Sequence, residues 1–257
     1  MADRIQENRM SSAAPVVPPS QPALSEAERV LDTFVAPTKT FTDLRRSSNW
    51  LVPAVLIILS AVATVWVADS RIGFDKISEN QLALQPKVAD RFDKMPPDQK
   101  AQSMRDYVKY TRIASYGSFL FVLIFLVIVA AVLLGTFNFG LGAELSFNQS
   151  IAVCMYSSLP MIVKGLLAIA VILLGATGNF TIQNPVASNL SGLVDSNSHF
   201  LYNMALLTDV FMIWTLVLAG IAFSCLTKIK QGACLAVVFG WWLVYVLLVS
   251  GIGAAFS

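Results

Sequence analysis

A lysine in the middle of an apolar stretch is the residue best placed to do chemistry in this chain. Ile151 to Gly175, IAVCMYSSLPMIVKGLLAIAVILLG, spans about 25 residues. A helix of that length, rising about 1.5 Å per residue, crosses about 30 Å of hydrocarbon. Near its middle stand Tyr156, Pro160 and Lys164. Proline cannot donate the usual helix bond, so it leaves the Tyr156 carbonyl without its donor and bends the helix one turn before the lysine. A lone charge at a span centre costs about 2.5–3.5 kcal/mol on insertion scales, so Lys164 needs a counter-charge. Asp209, in the next apolar stretch, is the one at matching depth. With the two stretches antiparallel, Lys164 lies about 16 Å and Asp209 about 12 Å below the same surface. Three readings follow: an ion pair that fixes helix register, a hydrated or proton-carrying site, or no contact, with Lys164 snorkelling to an interface.

Other reactive types lack company. His199 is the only histidine, and Cys154, Cys225 and Cys234 form no CxxC or Cys/His cluster, which makes them small apolar packers. Ser157 and Ser158 beside Pro160 fit bonds to their own helix carbonyls better than nucleophilic duty. There is no HExxH, no GxSxG and no phosphate-cradling glycine loop, so no enzyme activity, metal or cofactor is expected.

The elements that must position the pair follow from composition. Of 257 residues, 56% are hydrophobic and 13% charged, and the charges avoid several runs of about twenty. That pattern describes a polytopic membrane protein. The net charge of +2, with no basic face interleaved with aromatics, sets nucleic acid aside. The expected fold is all-α: a bundle of five transmembrane helices with an interfacial N-terminal helix and an extramembrane helical hairpin after the first span.

Residues 1–24 contain APVVPPSQPA and are expected to be a disordered tail. In 25–48, Ser25 and Glu28 have capping-box spacing, and Leu24, Leu31 and Phe34 share a helical face. Pro37 stops that helix, and Phe41, Leu44, Arg45 and Arg46 follow. The segment suits a helix lying in the membrane interface, or one packed on the bundle end.

Trp50 to Ala68 is an uncleaved first span, with Pro53 in its first turn and Trp66 near its far end. Asp69 to Arg112 carries nine basic and seven acidic residues. Pro86 and Pro97 can each open a helix there, giving a solvated hairpin insert at 70–112. The second span runs from about Tyr116 to Phe137, and the turn NFGLGAELS leads to the third. Residues 176–202 read as a loop and hold NFT and NLS sequons. The fourth span, about Leu201 to Leu226, contains Asp209 and Trp214. The fifth, Gly232 to Phe256, carries Trp241 and Trp242 and the small residues Gly251, Gly253, Ala254 and Ala255, which permit close helix packing. Charge nearly ties the two orientations: Arg45, Arg46, Lys228 and Lys230 favour an inside N-terminus, while Arg105, Lys109 and Arg112 oppose it.

Three separated stretches resemble one family. FVAPTKTFTDLRRSSNWLVPAVL carries Pro37 and Phe41, then Trp50 and Pro53 opening a span. GLGAELSFNQSIAVCMYSSLP is a Gly-rich turn followed by Tyr156-x-x-x-Pro160. DVFMIWTLVLAGIAFSCLTKIKQGACLAVVFGWW holds Asp209, Phe211, Trp214, Gly220 and Lys228. In order and spacing these resemble the Yip-domain membrane proteins, named for their Ypt/Rab-interacting members. The resemblance covers residues 30–257. It implies a cytosolic N-terminus and an opposite C-terminus. Compared with eukaryotic members the acidic tail is short and a charged hairpin is inserted, which implies a prokaryotic branch and a bacterial inner (plasma) membrane.

The expected role is a non-enzymatic membrane scaffold or recruiter of partner proteins, working in contact with the lipid bilayer and open to homo-oligomerisation. The alternative is a small transporter or permeation subunit using Lys164 and Asp209. Against it stand the absence of an internal repeat and an odd number of spans.

Overall fold

The computed structural model describes residues 23–175, 177–195 and 198–256. The expected tail at 1–24 lies almost wholly outside the described residues. Among the described residues helices predominate and no strand forms, with one isolated β-bridge between Asn189 and Asp209.

Two short helices come first, α1 (Glu26–Val35) and α2 (Pro37–Asp43). Ser25 and Glu28 form the capping box that starts α1, and Pro37 opens α2 at a position where its missing donor costs nothing. The buried face of α1 is only partly the one expected: Phe34 packs on the main core, but Arg29 and Thr33 are buried beside it while Leu31 is 65% exposed, as is Val35 at 80%. Phe41 and Leu44 are fully buried in the main core. The α2 side of this segment therefore packs on the bundle rather than on lipid.

The first span is α3 (Leu51–Arg71). Beyond Gly73, whose φ of +83° suits glycine, come α4 (Phe74–Ala83) and α5 (Pro86–Asp93). The insert and the second span are one element: α6 (Pro97–Gly135) starts at Pro97 and continues for 39 residues into the bundle. Nothing between Pro97 and Gly135 breaks a helix, and α6 adds a π turn at Thr136–Gly140. Outside the bundle, Phe92 packs edge-on against Tyr107 with ring centroids 5.9 Å apart, which fixes α5 to α6.

Asn138 closes the following turn by bonding both the N–H and the carbonyl of Leu145, each at 2.9 Å. Ser146 and Gln149 form a second capping box, so α7 (Phe147–Ser157) begins four residues before the expected Ile151. At Pro160 the third span does not bend but breaks, giving α7 and α8 (Pro160–Leu173). The Tyr156 carbonyl keeps a donor, the N–H of Leu159 at 3.2 Å, because the break is a tight turn.

The fourth span breaks as well, into α9 (His199–Leu207) and α10 (Val210–Leu226), with Asp209 as the N-cap of α10. The fifth span is α11 (Gln231–Phe256). Among the described residues, four helical segments, Leu51–Arg71, Pro97–Gly140, Phe147–Leu173 and Gln231–Ala254, are long and apolar enough to cross a bilayer. The stretch Val210–Leu226 is apolar but shorter. The molecule is an all-α polytopic helical bundle.

The main core lies between α2, α6, α7, α10 and α11, with Phe137 stacked on Phe223 at 4.3 Å. Close crossings use glycine. A Cβ on Gly220 would fall 2.4 Å from Leu235 Cδ2 and 3.1 Å from its Cα, so α10 and α11 touch there. A Cβ on Gly165 would fall 2.6 Å from Ser60 Oγ, which brings α8 onto α3.

Candidate functional site

The crossing at Gly165 gives the depth of the polar centre. Ser60 and Thr64 straddle the midpoint of α3, a helix of 21 residues. Its length of about 31 Å matches one hydrocarbon core. Lys164, one residue from that contact, therefore sits near mid-span.

The tertiary fold brings Lys164 and Asp209 together. Lys164 Nζ lies 2.8 Å from Asp209 Oδ2, with the lysine side chain 18% and the aspartate 5% exposed. Asp209 accepts from two further donors. Its Oδ1 accepts the Phe211 N–H at 2.8 Å, capping α10, and its Oδ2 also accepts the Ser188 hydroxyl. The Val210 N–H donates to the Ser188 carbonyl at 3.0 Å.

Ser188 belongs to the 177–195 loop, which therefore reaches in to the start of α10. The loop is half-buried there. The loop satisfies itself with short polar bonds, Asn189 Nδ2 to Asn184 Oδ1 at 2.8 Å and the Ser191 hydroxyl to Asn189 Oδ1 at 2.6 Å. At its start Asn80 of α4 donates to the carbonyls of Gly178 (3.1 Å) and Phe180 (3.0 Å). Phe180 joins Val65, Ala68, Phe74, Ile77 and Ile172 in a second, smaller core.

A second polar cluster contains Tyr156, which the sequence singled out, and partners that it did not. The Tyr156 side chain is fully buried, and its hydroxyl donates to Glu26 Oε2 at 2.7 Å. Glu26 Oε1 also accepts from Asn49 Nδ2 at 3.0 Å and from Arg29 at 3.2 Å. Arg29 is 3% exposed and holds Asp43 through Nε (2.9 Å) and Nη2 (2.7 Å). Burial opposes the Arg29 charge, but the Asp43 hydrogen bond and charge, with Glu26, outweigh it and raise the guanidinium above its ordinary pKa. The Ser25 N–H and hydroxyl hold the Glu28 carboxyl below its usual value, and bonding to Asp32 raises Lys39. Asp43 lies fourteen residues beyond Arg29, too far for any local pattern to pair them.

Other expected site residues fall as follows. Trp214, 37% exposed, meets Phe34 of α1 edge-on at 5.7 Å. Trp50 is half-buried at the start of α3, and Arg45 and Arg46 are exposed, Arg46 lying 3.8 Å from Asp43. Pro37 opens α2, and Pro160 opens α8. Among the described residues no group of three His, Cys, Asp or Glu side chains is placed to hold a metal. What the centre can do chemically is limited: two opposite charges neutralise each other, and the cap, the loop hydroxyl and the lysine occupy the carboxylate.

Against known proteins, the sequence matches the family described as Yip1 domain over residues 31–252. No curated protein and no solved structure matches it.

Proposed function

Because the chain belongs to the Yip1 domain family, we propose that this integral membrane protein is a non-enzymatic scaffold that holds partner proteins at the bilayer. Its working surfaces are the N-terminal segment 25–48 and the charged insert at 70–112, carried on the membrane domain at 50–257. In this reading the N-terminus is cytoplasmic and the membrane is a bacterial inner membrane.

The observation that carries the proposal is that the Lys164–Asp209 pair ties α8, α10 and the 177–195 loop together. This charged pair between apolar helices is used to join them, which leaves the outward surfaces for recognition. Leu31 and Val35, an exposed i,i+4 apolar pair on α1, are held in place by the buried Arg29–Asp43 and Tyr156–Glu26 contacts behind them.

Deleting residues 1–48 is a poor test, since it would strip Phe41 and Leu44 from the core. Leu31→Asp with Val35→Asp changes only exposed positions. In affinity capture from detergent extracts, this variant is expected to lose the proteins that co-purify with the wild type, while Lys164→Met with Asp209→Asn keeps them. The reverse pattern would overturn the reading.

A second reading, a small permeation subunit, is favoured by the two interrupted helices at the pair, a feature of transporter ion sites. It requires that Lys164→Met with Asp209→Asn abolish ion flux in proteoliposomes while the protein still folds.

A further inference from the structure

The far end of α3 and the stretch of α6 beside it border an open cleft of about 190 Å³ lined by Trp66, Asp69, Ser70, Arg112 and Tyr116. One water needs only about 10–15 Å³ of such space, so the cleft has room for a small polar group. Its depth is that of lipid headgroups. Since α3 is about one hydrocarbon thickness long, its last turn, with Asp69 and Arg71, reaches the boundary. Trp66 and Tyr110, 62% and 68% exposed, flank the Asp69–Arg112 contact, as aromatic side chains do at a membrane interface.

The charged groups of the cleft are held rigid. Arg112 donates from Nε to Asp69 Oδ2 (3.0 Å) and from Nη2 to Asp69 Oδ1 (2.7 Å), and the Tyr116 hydroxyl donates to Asp69 Oδ2 (3.1 Å). The guanidinium also lies 5.8 Å from the centre of the Phe74 ring. Arg112 is nevertheless 57% exposed, whereas Asp69 is 12% exposed. Two of the five guanidinium N–H donors go to Asp69, which leaves three for a ligand. Asp69 retains acceptor capacity on Oδ1, and the indole of Trp66 offers a face for a cation.

A strut joining α3 to α6 needs only the Arg112–Asp69–Tyr116 bonds. It does not need an exposed tryptophan beside an open cleft. The pair has no net charge, so the cleft lacks the surplus positive charge that an anionic headgroup demands. A group with both signs fits better: a phosphate on the remaining Arg112 donors, and a cation between Trp66 and Asp69. A primary ammonium can hydrogen-bond to Asp69 Oδ1, and a quaternary one cannot. We propose that this cleft binds the phosphoethanolamine headgroup of a bilayer phospholipid, with the phosphodiester on Arg112 and the ammonium against Trp66 and Asp69.

The test is native mass spectrometry of the full-length protein in detergent, titrated with phosphatidylethanolamine, phosphatidylcholine or phosphatidylglycerol, with inorganic phosphate as competitor. Phosphatidylethanolamine should bind most tightly. Trp66→Leu should weaken it about 2- to 5-fold, the worth of an exposed cation–π contact. Arg112→Gln should weaken it about tenfold or more, as loss of a charged hydrogen bond does. Trp66→Leu leaves the Asp69 bonds in place, so it decides the matter if Arg112→Gln does not fold. Equal binding of the three lipids, or wild-type affinity in Trp66→Leu, would overturn the proposal. So would displacement by inorganic phosphate, which would make the cleft a site for the free anion.

Discussion

Replacing Lys164 with methionine removes the cation while keeping an unbranched chain of similar reach. The Asp209 carboxylate, 5% exposed, then keeps only the Phe211 N–H and the Ser188 hydroxyl. Breaking a buried pair from one side costs about 3–5 kcal/mol, and those two donors place this case at the lower end. Asp209→Asn is the gentler reciprocal change, because asparagine is as good an N-cap as aspartate and can keep the bond to Phe211. It leaves a lone ammonium near mid-span, worth about 2.5–3.5 kcal/mol on insertion scales and less where the chain can reach polar surroundings. Lys164 is 18% exposed, so some of that relief is open to it. The double variant carries neither charge and should lose only about 1 kcal/mol, the net worth of an ordinary hydrogen bond. The singles should therefore exceed the double, with a coupling energy of about 2 kcal/mol or more. Reversible unfolding of the full-length protein by sodium dodecyl sulfate in bicelles, followed by tryptophan fluorescence, would measure all four corners of this cycle. Single effects that add to within about 0.5 kcal/mol would refute the pairing argument. So would a double variant as unstable as the worse single.

Gly220→Ala should destabilise the bundle by about 1–3 kcal/mol in the same unfolding assay, since the added methyl meets the backbone of Leu235 as well as its side chain. Tyr156→Phe should cost about 1.5–3 kcal/mol, because the lost hydrogen bond ends on a carboxylate, and Arg29→Met about 3–5 kcal/mol, because Asp43 is left buried without its partner. Both should accelerate hydrogen exchange in Glu26–Val35 more than in α3. The Glu28 carboxyl is held below its unfolded pKa, so its capping contribution is complete at neutral pH and is lost as pH falls through that lowered value. A spin label at Ala27→Cys should gain mobility on acidification, and adding Glu28→Gln, which caps without titrating, should remove the step.

The sequence alone determined the apolar spans and the need for a pair. Apolar runs of about twenty residues, interrupted only at Lys164 and Asp209, dictate membrane helices and forbid either charge from standing alone. Pro86 and Pro97 mark helix starts because proline lacks a donor that a first turn does not use, whereas Pro37 and Pro160, read as a stop and a bend, also open helices. Ser146 and Gln149 announce the start of α7 by the same kind of local rule. The tertiary structure decided which polar groups meet across long separations. Local periodicity gave α1 an apolar face through Leu31, yet the face that docks holds Arg29 and Thr33, because Asp43 supplies a counter-charge that no local pattern can anticipate. The break of the fourth span at Asp209 was hidden for a similar reason. An aspartate within an apolar run reads as one uncut helix until a distant loop offers Ser188 to satisfy the opened backbone. Helix formation follows from neighbours along the chain, whereas buried polar groups settle only where folding brings their partners.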